Sequence, residues 1–186
     1  MKNIRNIITV LFLGLSVSLL GQTKIDTQKS VLNWKGYKVA GSHEGTINLK
    51  EGELAFENGK LKEGKFVVDM TSISSTDLSG RGKERLDGHL KSEDFFEVEK
   101  HPESSLVFTK IVERQKGKYL VVADLTIKGI KKSITFDLTV AENSASTSFE
   151  IDRTKYDIKY RSGSIFPDLA DKAIKDNFDI SVELVF

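Results

Sequence analysis

A repeat of two constrains this chain more than any other feature. Near its end, Phe178, Ile180, Val182, Leu184 and Phe186 alternate with Asp179, Ser181 and Glu183. Successive side chains of a strand point to opposite faces, so this spacing describes a strand with one face in a core and the other in water. The same alternation runs through Leu32 and Trp34; Ile47 and Leu49; Phe66, Val68 and Met70; Ile134, Phe136, Leu138 and Val140; and Ala145, Thr147, Phe149 and Ile151. Leu106 to Ile111 and Tyr119 to Ile127 are rich in the β-branched and aromatic residues that fit a pleated surface. Turn residues fall between these runs, at Asn58-Gly59, Lys116-Gly117, Lys128-Gly129 and Asn143-Ser144. About eight strands joined by short hairpins make an antiparallel meander.

Such a meander hides its edges by closing into a barrel or by splitting into a sandwich, and periodicity does not choose between them. Two stretches break the pattern. Ser79 to Glu99 spaces Leu86, Leu90 and Phe95-Phe96 as a short amphipathic helix and turn, with Ser92 placed to cap a following turn. Asp152 to Asn177 holds a second helical candidate over Leu169 to Ile174. Both are too short to be domains and read as plugs or lids.

The first 21 residues read as a removable signal peptide. Lys2 and Arg5 precede an apolar run from Ile7 to Leu20, too short to span a bilayer, and Gly21 is a small residue suited to cleavage. Gln22 stands where a lipoprotein signal needs cysteine, so residues 22–186 are expected as one domain, periplasmic or secreted, with no transmembrane span. Removing Lys2 and Arg5 from the 28 basic residues leaves 26 against 27 acidic ones, which gives no global attraction to nucleic acid. The chain has no cysteine. The fold must therefore hold by burial alone, and thiol catalysis, cysteine-ligated zinc and iron–sulfur clusters are excluded.

Catalytic motifs do not emerge. His43, His89 and His101 share no metal-ligand spacing, and each reads as a loop or core histidine. Ser162-Gly163-Ser164 reads as a turn, not a nucleophile elbow, and no phosphate-binding loop precedes a Lys-Ser or Lys-Thr pair. No cofactor or metal is expected.

Three blocks carry a resemblance. They are Gly64 to Ile73 followed by Thr76; Asp87-Gly88-His89-Leu90-Lys91-Ser92-Glu93-Asp94-Phe95-Phe96 with His101-Pro102 and Val107-Phe108; and Leu125-Thr126-Ile127-Lys128-Gly129. In this order and spacing they resemble the YceI-like family of lipid- or polyisoprenoid-binding exported proteins, over nearly all of Lys24 to Phe186. The resemblance implies an all-β, lipocalin-like antiparallel barrel of about eight strands with one or two short helices. It also implies a long apolar pocket for an isoprenoid or another long-chain lipid. One departure stands out: where relatives often have Arg-Asp-x-His-Leu, Leu86 takes the arginine position and Arg85 sits one residue earlier.

Parity selects the pocket wall. Asp69 would be unpaired on a buried face, so Phe66, Val68 and Met70 point inward. The same rule adds Leu32, Trp34, Ile134, Phe136, Phe149 and Ile151. His89, Arg153, Tyr156 and Tyr160 are the expected polar groups at the pocket mouth. The expected function is binding of a long apolar lipid, without catalysis, for transport, storage or stress protection. The alternative is a structural or interaction barrel filled by its own side chains. The sequence allows a homodimer. N-terminal sequencing of exported protein should begin near Gln22, and retention of Lys2 and Arg5 would contradict the signal reading.

Overall fold

The computed structural model describes residues 21–186, so the expected leader, apart from Gly21, lies outside the described residues. Nine strands form one antiparallel sheet: β1 (Gly21–Lys24), β2 (Val31–Lys38), β3 (Gly41–Glu57), β4 (Lys60–Ser75), β5 (Glu103–Gln115), β6 (Lys118–Ile127), β7 (Ile130–Val140), β8 (Ser144–Asp152) and β9 (Asn177–Val185). The order β3-β2-β9-β8-β7-β6-β5-β4 returns to β3, so eight strands close a barrel and no sandwich forms. Short β1 is a ninth strand. It extends the edge of β3 beyond β2, pairing Gly21 with Phe56 and Lys24 with Glu53.

The turns are those the residues favour. Asn58 and Gly59 both have positive φ (52° and 73°), as do Lys128 and Gly129 (51° and 72°). Two such residues in succession make the tight turn whose twist matches its flanking strands. Gly64 has a different role. A Cβ there would lie 2.3 Å from the ring of Phe108, so the missing side chain is what lets that ring lie over β4.

Hydrophobic packing divides the interior. At the end carrying the 57–60, 115–118 and 140–144 hairpins, Leu54, Leu61, Tyr119, Val121, Ala123 and Ala145 are each at most 4% exposed and fill the barrel solidly. The opposite end is covered by α1 (Gly80–Lys91), by the segment from Ser92 to Pro102, and by the connection between β8 and β9. Ser92 closes α1 instead of opening the next turn: its hydroxyl and its N–H both donate to the carbonyl of His89. The expected helix at Leu169 to Ile174 is a 3-10 segment, Pro167–Lys172, broken by a positive φ at Ala170. A second 3-10 turn, Arg153–Tyr156, follows β8 directly.

Asp87 fixes α1 to the barrel. Its carboxylate accepts from the Ser75 N–H (2.7 Å) and the Ser74 hydroxyl (2.8 Å), and pairs with Lys83 one helical turn earlier (3.1 Å). Partial burial pushes its pKa up, but these bonds outweigh burial and hold it at about 2. A carboxyl lowered from 3.8 stabilises the fold fully above about pH 4 and loses that contribution as pH falls towards 2. Asp87→Asn should cost about 2 kcal/mol at neutral pH. It should also flatten the loss of stability below pH 4, as denaturant titrations at pH 7 and pH 3 would show.

Candidate functional site: an apolar cavity in the barrel

Between the solid end and the cap lies a cavity of about 180 Å³. A water's share of liquid volume is about 30 Å³, so the space holds several groups of that size. Its wall is almost wholly hydrocarbon, drawn from all eight barrel strands, α1 and the two capping segments. Ser104, Thr147, Arg153 and Lys175 are the polar side chains among the lining residues. A polar solute would lose its hydration there with little to replace it, whereas an apolar chain loses nothing.

The parity rule places Leu32, Trp34, Phe66, Val68, Met70, Phe136, Phe149 and Ile151 on this wall. Ile134 is the exception. It points to the inner face opposite Ala123, but it is only partly buried and packs against the core outside the cavity. Sequence reasoning missed Phe178, Ile180, Val182 and Leu184, although β9 shows the clearest alternation in the chain. It also missed Leu90, Phe95 and Phe96, which come from the cap and form the far wall. Their signal was three large apolar residues inside a stretch otherwise full of charge.

The expected mouth residues have other occupations. His89 on α1 packs edge-on against Phe95 (5.0 Å between ring centres) and Tyr160 (4.5 Å), and it is not on the cavity wall. Its Nδ1 lies 3.8 Å from Asp94, and its Nε2 is buried without a partner. Tyr160 lies in the same aromatic cluster, 5.9 Å from Phe95, with Arg161 over its ring. Tyr156 is 1% exposed, outside the lining, with its hydroxyl unpartnered. All three are parts of the cap: His89 and Tyr160 pack ring against ring with Phe95, and Tyr156 is buried apart from them.

Arg153 does reach the cavity, but its guanidinium is 3% exposed and committed to main chain. It donates to the carbonyls of Lys175, Ile158, Tyr160 and Ile174 at 2.9–3.0 Å, and lies 3.6 Å from Asp176. Burial lowers its pKa, opposed by Asp176 and Asp152. Desolvation and the Ser162 and Ser164 hydroxyls set Asp176: burial raises its pKa, the hydroxyls and Arg153 lower it, and the net shift is down. Arg153 is therefore a clamp that ties both ends of the β8–β9 connection over the cavity. At the departure from the family pattern, Leu86 packs on the core and Arg85 is exposed.

His43, 2.8 Å from Asp77, His89 and His101, 3.9 Å from Glu97, lie apart from one another in separate pairs. Among the described residues no group of three or more His, Cys, Asp or Glu is arranged to hold a metal. No helix among them is long and apolar enough to cross a membrane.

The model of the YceI-like domain matches residues 24–186. The chain belongs to the YceI-like family. Among curated proteins it is 34% identical over 96 residues to a UPF0312 protein of Vibrio parahaemolyticus, a match covering 50% of this chain and 48% of that protein. A UPF0312 protein of Shewanella denitrificans is 28% identical over 131 residues, 65% of this chain and 66% of the relative. The chain thus spans about half the length of the Vibrio relative. Among solved structures, BcnA of Burkholderia cenocepacia superposes with a TM-score of 0.71 at 21% identity, covering 87% of this chain and 99% of BcnA. A polyisoprenoid binding domain from Saccharophagus degradans, implicated in plant cell wall breakdown, superposes with a TM-score of 0.58 at 14% identity, covering 89% and 97%. At these identities the likeness establishes the shared YceI-like barrel.

The Arg153 clamp yields a direct expectation. Arg153→Lys keeps the charge but cannot reach four carbonyls arranged around a planar fork. It should lower the melting temperature and speed amide hydrogen exchange selectively over residues 157–176. Unchanged exchange there would mean that the cap is held by other contacts.

Proposed function

We propose that this protein is an exported carrier that holds one long apolar lipid, of the isoprenoid or fatty amide type, inside its barrel and catalyses nothing. The cavity with its hydrocarbon wall carries this reading. An apolar chain held there would bury about ten methylene equivalents. At about 0.8 kcal/mol each these contribute around 8 kcal/mol, equivalent to micromolar affinity before ordering losses. Neither a charge nor a cofactor is needed. The polyisoprenoid-binding relative from Saccharophagus degradans, which shares the barrel, supports the choice of ligand class. Export follows from the leader, with its cleavage point near Gly21 and residues 22–186 as the working domain. The alternative, a structural barrel filled by its own side chains, suits only the solid end, where Leu54, Val121 and Ala123 are completely buried.

Val68→Trp separates the two readings. Val68 lies between Phe66 and Met70 on the wall. If that space belongs to a ligand, the indole occupies it: apo stability should change little, while lipid recovered by solvent extraction falls sharply. In a filled core the same change overpacks the interior and costs typically about 1–3 kcal/mol. Melts of apo protein and lipid quantitation on the same preparations distinguish the outcomes. A large destabilisation with no lipid in the wild type would refute the carrier.

A further inference from the structure

The barrel wall is not equally closed all round. β6 and β7 pair along their full length, from Ile127–Ile130 to Lys118–Thr139. β7 and β8 pair only at Thr139–Ser146 and Val140–Ala145, next to their hairpin. Beyond those pairs the strands diverge towards the capped end. The register would place Phe136 opposite Phe149, and there the rings stack at 4.9 Å between centres in place of main-chain bonds. Thr147 offers the one side-chain link, its hydroxyl donating to the Asp137 carbonyl at 2.7 Å. The 3-10 turn Arg153–Tyr156 follows β8 directly and bounds the wide end of the wedge.

Two further observations place water at this window. Lys132 pairs with Leu125, a cavity-wall residue, so it occupies an inward position on β7, yet it is exposed. On β8 and β9 the inward residues Thr147, Phe149, Ile180 and Val182 are only half-buried, whereas their counterparts Leu32 and Trp34 on β2 are buried. The other thin stretch, between β4 and β5 beyond Lys65–Val107, differs in kind: Phe108 packs over Gly64 there, and the Tyr119 hydroxyl accepts from the Leu61 N–H.

We propose that the β7–β8 window is the port through which an apolar chain enters and leaves the cavity, with Phe149 as its gate. This rests on the carrier reading. The alternative route, through the cap, requires breaking the Arg153 clamp on four carbonyls and the Asp87 anchor of α1. The window requires only that two stacked rings part and one hydroxyl bond break, since no main-chain ladder spans it.

The absence of cysteine makes the test clean. Thr135→Cys with Glu150→Cys puts thiols on the outer faces of the two strands across the window, to be bridged by a short bis-maleimide. Asn33→Cys with Ser181→Cys, on strands already paired, is the control. Uptake of N-phenyl-1-naphthylamine is followed by stopped-flow fluorescence, with each unbridged protein as its own reference. Bridging the window should slow uptake and release about tenfold, bridging the control pair should not, and Phe149→Ala should speed both rates. Wild-type rates with the window bridged would overturn the port while leaving the carrier intact. Failure of every protein, wild type included, to take up the probe would overturn the carrier reading and the port with it.

Discussion

Closure of the sheet through β3 is the constraint on which the remaining structure depends. This strand of 17 residues is bonded along one edge to β4 and along the other first to β2 and then to β1. Without the β3–β4 pairing the nine strands would form an open sheet with two unpaired edges, and its inner face would need a second layer to cover it. With that pairing, the inward side chains of eight strands face one another. Where they are large or closely spaced they meet, as at Leu54, Leu61 and Tyr119; towards the cap they do not, and the cavity is what remains. The empty space thus follows from barrel geometry and residue size together.

Closing the barrel creates a second problem at its ends. A tube with hydrocarbon walls needs a lid whose inner surface is apolar and whose own backbone is satisfied. The chain supplies this twice by the same device, a buried or half-buried charge holding main chain. Asp87 accepts from Ser75 N–H and so seats α1, which presents Leu90 to the cavity. Arg153 donates to four carbonyls and so shapes a connection with little regular structure, which presents Ile158 and Ile174. In each case the polar group is consumed in building the lid and is not free to recognise a ligand. Selectivity in such a cavity falls to length and girth.

Much of this was legible in the sequence because a strand's facing is a local property. One carboxylate, Asp69, sufficed to orient β4, and parity alone put eight of nine chosen residues on the cavity wall. Ile134 failed because inward facing and cavity lining separate where β7 leaves β8. The cap was less legible. Its 3-10 turns and irregular chain have no periodicity, and the roles of Arg153 and Tyr156 depend on carbonyls and rings distant in sequence. Reading them as a polar mouth followed residue type. What decided their place was that each could be buried only by joining the lid.

The central claim is that the interior is a binding site for one apolar chain, and Trp34 reports on it directly, being the chain's single tryptophan and part of the cavity wall. Lipid-free protein titrated with linear alcohols of increasing length should show a saturable change in tryptophan fluorescence at one ligand per barrel. Affinity should rise about fourfold per added methylene, the equivalent of about 0.8 kcal/mol, until the chain fills the space above the solid end, and then level off. A signal that neither saturates nor depends on chain length would contradict the account.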